Sequence, residues 1–280
     1  MSEEKWVKDS WDEKEGRCLS VKIKKTLDSY KSKFQKLDMY ETECFGKMLV
    51  LDGTIQLTEF DEFAYHEMIT HVAMNTHPNP KKVLIIGGGD GGVAREAFKH
   101  KSVEQVHLCE IDEEVINITK KYVSGLAKGF NNPKMKIFIE DGAAFIRERK
   151  NTYDIIIVDS SDPWGPAEVL FKEEFYQDLF DSLKKDGIVV SQSESMYYNR
   201  KLIKRMVDFN KKIYPVVEYY YALVPTYPSG TIGFSFCSKK YHPLKHAKDK
   251  KITNLKYYSP EIHKAAFVLP KFMSDLLRKE

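Results

Sequence analysis

The first part of the chain has the alternating apolar and polar positions of β-strands. Residues 19–23 place apolar side chains at every second position, and the apolar residues 48–51 lead through Asp52-Gly53 into a further run at 55–57. An Asp-Gly pair between two apolar runs is a strong signal of a β-hairpin. This region is therefore predicted to form a small antiparallel sheet.

A helical period replaces this alternation after residue 60. Apolar residues recur at the spacing of one helix face at Phe63, Met68, Ile69 and Val72, and the pattern stops before His77-Pro78-Asn79-Pro80. We therefore predict an N-terminal β domain at residues 1–60 and a larger domain at residues 61–280.

Short apolar runs and amphipathic stretches alternate in the larger domain. The predicted strands are residues 83–86, 105–109, 135–139, 155–158 and 188–191, and the predicted helices between them include residues 113–122 and 173–183. Two aromatic-rich runs, residues 216–221 and 231–237, are candidates for final antiparallel strands. The pattern predicts an α/β fold, a Rossmann-like doubly wound sheet with a small N-terminal β domain.

The composition describes a globular protein without a nucleic-acid surface. Of 280 residues 42% are apolar, and 44 basic residues nearly balance 41 acidic ones. Because these charges are spread along the chain, no basic tail or stripe indicates nucleic-acid binding. We also expect no membrane span and no secretory signal. Four cysteines without a C-x-x-C pair indicate free thiols, and we expect a cytoplasmic protein.

A glycine-rich turn follows the first strand of the larger domain. Gly87, Gly89 and Gly92 match G-x-G-x-x-G, which alone indicates a dinucleotide with its pyrophosphate on a helix N-terminus. Asp90 lies in this turn, and its carboxylate would repel a pyrophosphate but attract a sulfonium or ammonium ion. The turn favours a cationic nucleoside, and helix capping by Asp90 is the alternative.

Acidic residues also follow the next strands. Glu110 comes twenty residues after Asp90, an offset typical of a carboxylate that accepts hydrogen bonds from ribose, whereas Asp112 fits a helix cap. Asp141-Gly142 is either a contact for an adenine ring or a plain turn. Because ligands bind at the carboxyl ends of strands in such sheets, we expect these residues to meet.

The fourth strand is followed by the loop Asp159-Ser160-Ser161-Asp162-Pro163-Trp164-Gly165-Pro166-Ala167. Proline and glycine shape this loop, and two carboxylates lie at its start. Clustered negative charge is costly without a cationic partner. A diamine or an aminoalkyl sulfonium would supply one.

Together these residues resemble the spermidine synthase family of polyamine aminopropyltransferases. The resemblance spans nearly the whole chain and includes Leu51-Asp52-Gly53, Asp61-Glu62-Phe63-Ala64-Tyr65-His66-Glu67-Met68, His77-Pro78-Asn79-Pro80, the glycine turn, the Asp159 loop and Pro225-Thr226-Tyr227-Pro228-Ser229-Gly230. It implies transfer of the aminopropyl group of decarboxylated S-adenosylmethionine to putrescine, giving spermidine and methylthioadenosine. The nucleoside is then a co-substrate, and no metal or other cofactor is expected; the family is typically dimeric or tetrameric.

The resemblance also implies a role for each site residue. The adenosine portion is expected to contact Gln35, Glu110, Asp141, Gly142 and Pro166. The putrescine channel is expected to contain Tyr65, His66, Asp162, Gln192 and Tyr227. Asp90 is expected to hold the aminopropyl amine and Asp159 to accept the proton, while Tyr65 orients the attacking nitrogen and Asp162 grips the other ammonium. Trp6 and Trp11 both fit a family tryptophan at the amine site, and Trp164 is bulkier than the usual residue of the gating loop.

The chemistry explains why a proton acceptor must touch the amine. The sulfonium is a good leaving group, so positioning and deprotonation remain for the protein. Deprotonating an amine of pKa near 10.4 at neutral pH costs roughly 4 to 5 kcal/mol. A carboxylate about 4 Å away stabilises the protonated amine by about 4 kcal/mol more at an effective dielectric of about 20. A carboxylate in direct contact is therefore required, and Asp159 is the residue that we assign.

Other functions use the same residues. A methyltransferase acting on a diamine with S-adenosylmethionine would share the fold and the nucleoside contacts. An aminopropyltransferase with a longer polyamine acceptor and a polyamine-binding protein without turnover are further alternatives. A nicotinamide oxidoreductase is disfavoured by Asp90 and the other strand-end carboxylates.

Overall fold

Five antiparallel strands form the N-terminal sheet of the computed structural model, which describes residues 5–13, 16–161 and 165–278. In chain order, and also in spatial order, they are β1 (Lys5–Lys8), β2 (Ser20–Lys31), β3 (Lys36–Thr42), β4 (Lys47–Leu51) and β5 (Thr54–Thr58), with a short helix α1 (Ser10–Glu13) after β1. Asp52 and Gly53 have φ angles of 47° and 85°, as a tight hairpin turn requires. The predicted hairpin is confirmed.

The rest of the chain alternates helices and strands. Its elements are α2 (Glu62–Thr76), β6 (Lys82–Gly87), α3 (Gly92–Ala97), β7 (Gln105–Glu110), α4 (Glu113–Tyr122), α5 (Ser124–Ala127), β8 (Met135–Ile139), α6 (Gly142–Arg147), β9 (Tyr153–Asp159), α7 (Glu173–Ser182), β10 (Leu183–Gln192), α8 (Arg200–Ile213), β11 (Val216–Leu223), β12 (Thr231–Ser238), α9 (Pro243–His246), α10 (Pro260–Ala265) and α11 (Lys271–Arg278). Among the described residues, no helix has both the length and the apolar character needed to cross a lipid bilayer.

Seven of these strands form one sheet, in the order β11-β12-β10-β9-β6-β7-β8. The five strands from β10 to β8 are parallel, and β12 and β11 are antiparallel at one edge. The doubly wound α/β fold and the final antiparallel strands are confirmed. The strand β10 begins at Leu183, earlier than the predicted residue 188, because residues 184–187 are not apolar and interrupt the apolar pattern that predicts a strand.

Helices cover both faces of the central strands. On one face Val83 and Ile85 of β6 pack with Met68 of α2, and on the other Leu84 of β6 packs with Phe175 of α7. Since both faces are buried, the strands consist of continuous apolar runs rather than alternating ones. This burial explains why the sequence identified these strands well.

The chain reverses its direction across the sheet between β6 and β9. From β6 it continues outward through β7 to β8 and then returns to form β9 on the other side of β6. Gly87 at the end of β6 is in register with Asp159 at the end of β9. Such a switch point opens a crevice at the carboxyl ends of the strands. The glycine turn and the Asp159 loop therefore border one crevice.

The N-terminal sheet closes this crevice from the side. Leu37 and Leu49 of that sheet pack against Val115 and Ile118 of α4 in a shared apolar cluster. This contact brings residues of β3, β4 and β5 to the edge of the larger sheet, opposite the strand ends.

Candidate active site

A cavity of about 780 Å³ lies between the strand ends and the N-terminal sheet. A volume in this range is typical of sites for small molecules. The predicted site residues that line it are Gln35, Tyr65, Asp90, Glu110, Asp141, Gly142, Asp159, Gln192 and Tyr227. His66 does not line the cavity. Asp162, Trp164 and the side chain of Pro166 lie outside the part of the chain that the structure describes.

The glycines of the turn permit two close approaches. Gly87 and Gly88 have φ angles of 78° and 67°, and a Cβ atom on Gly87 would overlap the backbone carbonyl of Asp159. A Cβ atom on Gly92 would overlap the imidazole ring of His66. Glycine is therefore required in the turn for two reasons. It permits the positive φ angles, and it leaves room for β9 and α2 to pack close to Asp90.

Asp90 and Asp159 form a pair of neighbouring carboxyl groups at the cavity wall. The Tyr65 hydroxyl donates a hydrogen bond to Asp159 Oδ1 at 2.6 Å. Burial, and then the negative charge of Asp90, raise the pKa of Asp159 to about 7. Asp159 Oδ2 is buried and has no hydrogen-bond partner among the residues that the structure describes. The site thus holds a carboxyl group that titrates near neutrality and has an acceptor position left open.

Asp90 has the opposite electrostatic environment. Its Oδ1 accepts the backbone N–H of Gly92 at 2.7 Å, and its Oδ2 lies 3.2 Å from His66 Nε2. Burial opposes ionisation, but the charge on His66 and the Gly92 N–H hold the pKa of Asp90 below its usual range. The N-cap position of α3 is Gly91 and not Asp90, so Asp90 does not cap this helix; its bond to the Gly92 N–H fixes the carboxyl group at the cavity wall.

His66, Asp90 and Asp159 have the side chains of a metal site. One ligand atom from each lies within 4.8 Å of the other two, which is found for no other such group among the residues described. The second ring nitrogen of His66, Nδ1, lies 2.7 Å from Glu62 Oε2. Burial disfavours a charged His66, but Asp90 and Glu62 raise its pKa well above the usual value. A protonated imidazole has no lone pair for a metal, so the cluster suits an organic cation better.

The ribose-binding candidate lies at the end of β7. Glu110 Oε1 accepts the backbone N–H of Asp112 at 2.9 Å, and burial raises the pKa of Glu110 to about 7. Asp112 caps α4 through the N–H of Glu114, as predicted, and also accepts a hydrogen bond from Gln35 Nε2 at 2.9 Å. Gln35, from the loop before β3, is thereby fixed at the cavity wall.

Asp141 and Gly142 have structural roles that the sequence left open. Asp141 caps α6 by accepting the N–H of Ala144 at 2.9 Å. One of its oxygens therefore has a structural role in the turn, as the alternative to an adenine contact predicted. A Cβ atom on Gly142 would overlap the Ile86 side chain. Glycine at this position is therefore required by packing inside the protein, in addition to any contact with a ligand.

Tyr227 lines the cavity close to Tyr65. Its hydroxyl donates to the carbonyl of Gln56 in β5 at 2.6 Å, and its ring lies 5.9 Å from that of Tyr65. Asp61, before α2, accepts hydrogen bonds from the backbone N–H and the hydroxyl of Thr226. The loop that carries Tyr227 is therefore tied to both the N-terminal sheet and the start of α2.

Glu194 is a cavity residue that the sequence analysis missed. It is 2% exposed, has a φ of 62°, and accepts a hydrogen bond from Gln192 Nε2 at 2.8 Å. The Oε1 atom of Gln192 is buried and finds no hydrogen-bond partner within residues 5–13, 16–161 and 165–278. The signal was available, because Glu194 follows the end of β10 just as the other carboxylates follow their strands.

The two candidate tryptophans have different surroundings. Trp11 lines the cavity and packs against Tyr198, with ring centroids 5.4 Å apart. Trp6 lies on the edge strand β1 and is 53% exposed. Only Trp11 is therefore adjacent to the cavity.

Two domain families match the chain. Residues 62–249 match the family described as the spermine/spermidine synthase domain, and residues 6–59 match the one described as the spermidine synthase tetramerisation domain. The junction between them lies next to residue 60.

Complete proteins are also similar over almost their full length. A polyamine aminopropyltransferase from Leptospira biflexa is 48% identical over 277 residues, covering 98% of this chain and 99% of the relative. A spermidine synthase from Schizosaccharomyces pombe is 47% identical, covering 98% and 95%.

Two crystal structures of spermidine synthases have the same fold. One, in complex with the transition state analogue AdoDATO, is 41% identical with a TM-score of 0.94, and the other, from Thermotoga maritima, is 40% identical with a TM-score of 0.93. Each alignment covers 98% of this chain and 94% of the other.

Proposed function

Because the chain belongs to the spermidine synthase family and is an aminopropyltransferase, we propose that it transfers the aminopropyl group of decarboxylated S-adenosylmethionine to putrescine. The products are spermidine and methylthioadenosine. The nucleoside is consumed in the reaction and is therefore a co-substrate. We further propose Asp159 as the proton acceptor.

One observation carries this proposal. The carboxyl group of Asp159 has its pKa raised to about 7 and lies beside an ionised carboxylate, Asp90. Within the described ranges, one of its oxygens has no hydrogen-bond partner. A general base works best when its pKa is near the operating pH. The arrangement supports a reaction in which one cation is held by Asp90 while a second loses a proton to Asp159.

The proposed step balances in charge and protons. The amine nitrogen attacks the aminopropyl carbon bonded to sulfur, the carbon–sulfur bond breaks, and its electron pair neutralises the sulfonium. The attacking nitrogen gives up a proton to Asp159, whose Oδ2 has no hydrogen-bond partner in the described part of the chain. Tyr65 holds the other oxygen at 2.6 Å and thereby fixes the carboxyl plane.

The remaining cavity residues divide between the two substrates. Glu110 and Gln35 would hold the nucleoside, because both lie near the end of β7. Gln192, Glu194 and Tyr227 would surround the amine that does not react. Glu194 is a buried carboxylate at the cavity wall, and an ammonium ion nearby would be attracted to its negative charge.

Mass analysis of the products tests the function directly. The protein is incubated with decarboxylated S-adenosylmethionine and, separately, putrescine, cadaverine or spermidine, and parallel reactions contain S-adenosylmethionine. We expect putrescine to gain an aminopropyl group. Gain of a methyl group would instead identify a methyltransferase, stronger turnover of spermidine would indicate a longer acceptor, and binding without any product would contradict the proposal.

A further inference from the structure

A row of residues with alternating charge runs from the cavity wall into the interior. Asp90 contacts His66, His66 contacts Glu62, Glu62 contacts Arg95, and Arg95 contacts Glu96. The row crosses from the glycine turn to α2 and then to α3. Its signs alternate only if His66 carries a proton on both ring nitrogens.

We propose that Glu62 and Arg95 are positioning residues that keep His66 as an imidazolium, and that this buried cation assigns the negative charge to Asp90 and the proton-accepting role to Asp159. The catalytic consequence rests on the proposed aminopropyl transfer. The protonation state of His66 does not depend on it.

The hydrogen-bond geometry of the ring supports the charged form. Nδ1 of His66 lies 2.7 Å from Glu62 Oε2, and Nε2 lies 3.2 Å from Asp90 Oδ2. A neutral imidazole has one N–H and one lone pair, so one of these contacts would set a lone pair against a carboxylate oxygen. The ring is 2% exposed and lies against Gly92, so neither water nor rotation relieves such a contact.

Arg95 keeps Glu62 charged and in place. Its Nη1 and Nη2 atoms donate to the two oxygens of Glu62, each at 2.9 Å. This two-point geometry is the strongest that a carboxylate and a guanidinium form. Burial opposes ionisation of Glu62, but His66 and Arg95 lower its pKa to about 2. Glu96 in turn holds Arg95 Nε at 2.8 Å, so the guanidinium has little freedom.

The cation distinguishes two otherwise similar carboxyl groups. His66 hydrogen bonds to Asp90, whereas Asp159 is bonded to the neutral hydroxyl of Tyr65. Two adjacent carboxyl groups titrate as a pair, and a cation bonded to one of them selects which remains ionised. Asp90 then stays negative to hold an amine, and Asp159 is left free to take a proton.

The titratable groups around this ring are Glu62 and Tyr65 from α2, Asp90 from the glycine turn and Asp159 from the end of β9. Arg95 from α3 contacts Glu62 and acts on the ring through it. Arginine stays protonated at all working pH values, and burial raises the pKa of Tyr65 well above its usual value. Among the groups around this ring, the carboxyl pair therefore titrates near neutrality. Glu110, elsewhere in the cavity wall, also has its pKa raised to about 7 by burial, so a comparison of variants that differ only at Glu62 is needed to isolate the effect of His66.

The protonation state of His66 is measured first, by NMR of the ¹⁵N-histidine-labelled protein at about pH 7.5, where a free histidine of pKa about 6.5 is mostly neutral. The His66 signals are assigned by their loss in His66→Gln. We expect both ring nitrogens to be protonated in the unmodified protein and the ring to become neutral in Glu62→Gln. A neutral His66 in the unmodified protein contradicts the proposal, and this arm does not require Glu62→Gln to fold.

The kinetic consequence is measured on the acidic limb of kcat/KM for decarboxylated S-adenosylmethionine. Losing the cation raises the apparent pKa of the carboxyl pair, so we expect Glu62→Gln to move this limb upward by about one pH unit. Glu148→Gln, which changes a side chain 83% exposed, is the matched control and should leave the limb in place.

A combined variant separates positioning from a general structural effect. In a His66→Gln background, Glu62→Gln should cause no further movement of the acidic limb, because Glu62 acts through His66. An equal movement in both backgrounds, or none in either, contradicts the proposal. If His66 is doubly protonated and no spermidine forms, the proposed function fails and the charge assignment stands. If spermidine forms and His66 is neutral, the proposed function stands and the charge assignment fails.

Discussion

Two aspartates of the same chemical type have different environments because of their neighbours. Asp90 contacts a buried imidazole and a backbone N–H. Asp159 accepts a hydrogen bond from the Tyr65 hydroxyl, and its other oxygen has no partner among the residues described. The first environment stabilises a negative charge and the second does not. One aspartate is therefore suited to hold a cation, and the other to accept a proton.

Glu194, a buried carboxylate at the cavity wall, provides a test of the amine site. A hydrogen bond to a charged group contributes about 1.5 to 3 kcal/mol, and about 1.4 kcal/mol corresponds to tenfold in affinity. We expect Glu194→Gln to raise the KM for putrescine about tenfold or more while kcat at saturation changes little. Steady-state kinetics with Glu148→Gln as the surface control measures this, and an unchanged KM would remove Glu194 from the amine site.

The glycine turn between β6 and α3 positions the active-site residues because it leaves room for the side chains that pack against it. A Cβ atom on Gly92 would overlap the His66 ring, whereas one on Gly125, in α5, would meet no atom within 4 Å. Two Gly→Ala changes of equal size therefore have different surroundings.

We expect Gly92→Ala to lower kcat/KM by displacing His66 from Asp90, and to lower the thermal stability. Gly125→Ala should keep full activity and be neutral or stabilising by up to about 1 kcal/mol, because alanine favours a helix. Kinetics and thermal denaturation of both variants measure the difference. Equal behaviour of the two would show that the close contact at Gly92 is unimportant.

The sequence predicted elements and strand ends better than it predicted contacts between side chains. Buried parallel strands such as β6 are continuous apolar runs, and Asp112 is followed by the acidic first turn typical of a capped helix. The Glu62–Arg95 pair was not predicted, because it joins α2 to α3 through tertiary packing that spacing along the chain does not encode. His66 was expected in the putrescine channel, but it lies behind Asp90 and does not line the cavity. This position also depends on tertiary packing that the sequence spacing does not encode.

At the scale of the whole molecule, the arrangement that supports catalysis lowers stability. Asp159 is ionised in the unfolded chain above its usual pKa of 3.8, but folding raises that pKa to about 7. The native state therefore disfavours the charge, and stability contributed by this residue falls as pH rises from the lower value to the higher one. Active sites commonly carry such a cost.

We expect Asp159→Asn to raise the Tm of the ligand-free protein at about pH 8, where the unmodified side chain is ionised in both states. The gain should shrink as the pH falls towards about 4, because Asp159 is then protonated in the native state. Differential scanning calorimetry across this range measures it, with Asp275→Asn at a side chain 46% exposed as the control. A lower Tm at the higher pH would contradict the environment described for Asp159.

The N-terminal sheet is the part of the molecule that bears on its assembly. Residues 6–59 match a domain described as the spermidine synthase tetramerisation domain, and we propose that this sheet joins copies of the chain. Light scattering should give a dimer or a tetramer, and a monomer at micromolar concentration would contradict this.

The most direct measurement is the single-turnover rate of aminopropyl transfer to putrescine by Asp159→Asn, with both substrates saturating. General bases contribute about 10² to 10⁴ in rate, so we expect a loss in this range, with the affinity for decarboxylated S-adenosylmethionine changed by less than about threefold, because Asp90 remains in place. A variant that binds both substrates and transfers the aminopropyl group at a near-normal rate would show that Asp159 is not the proton acceptor.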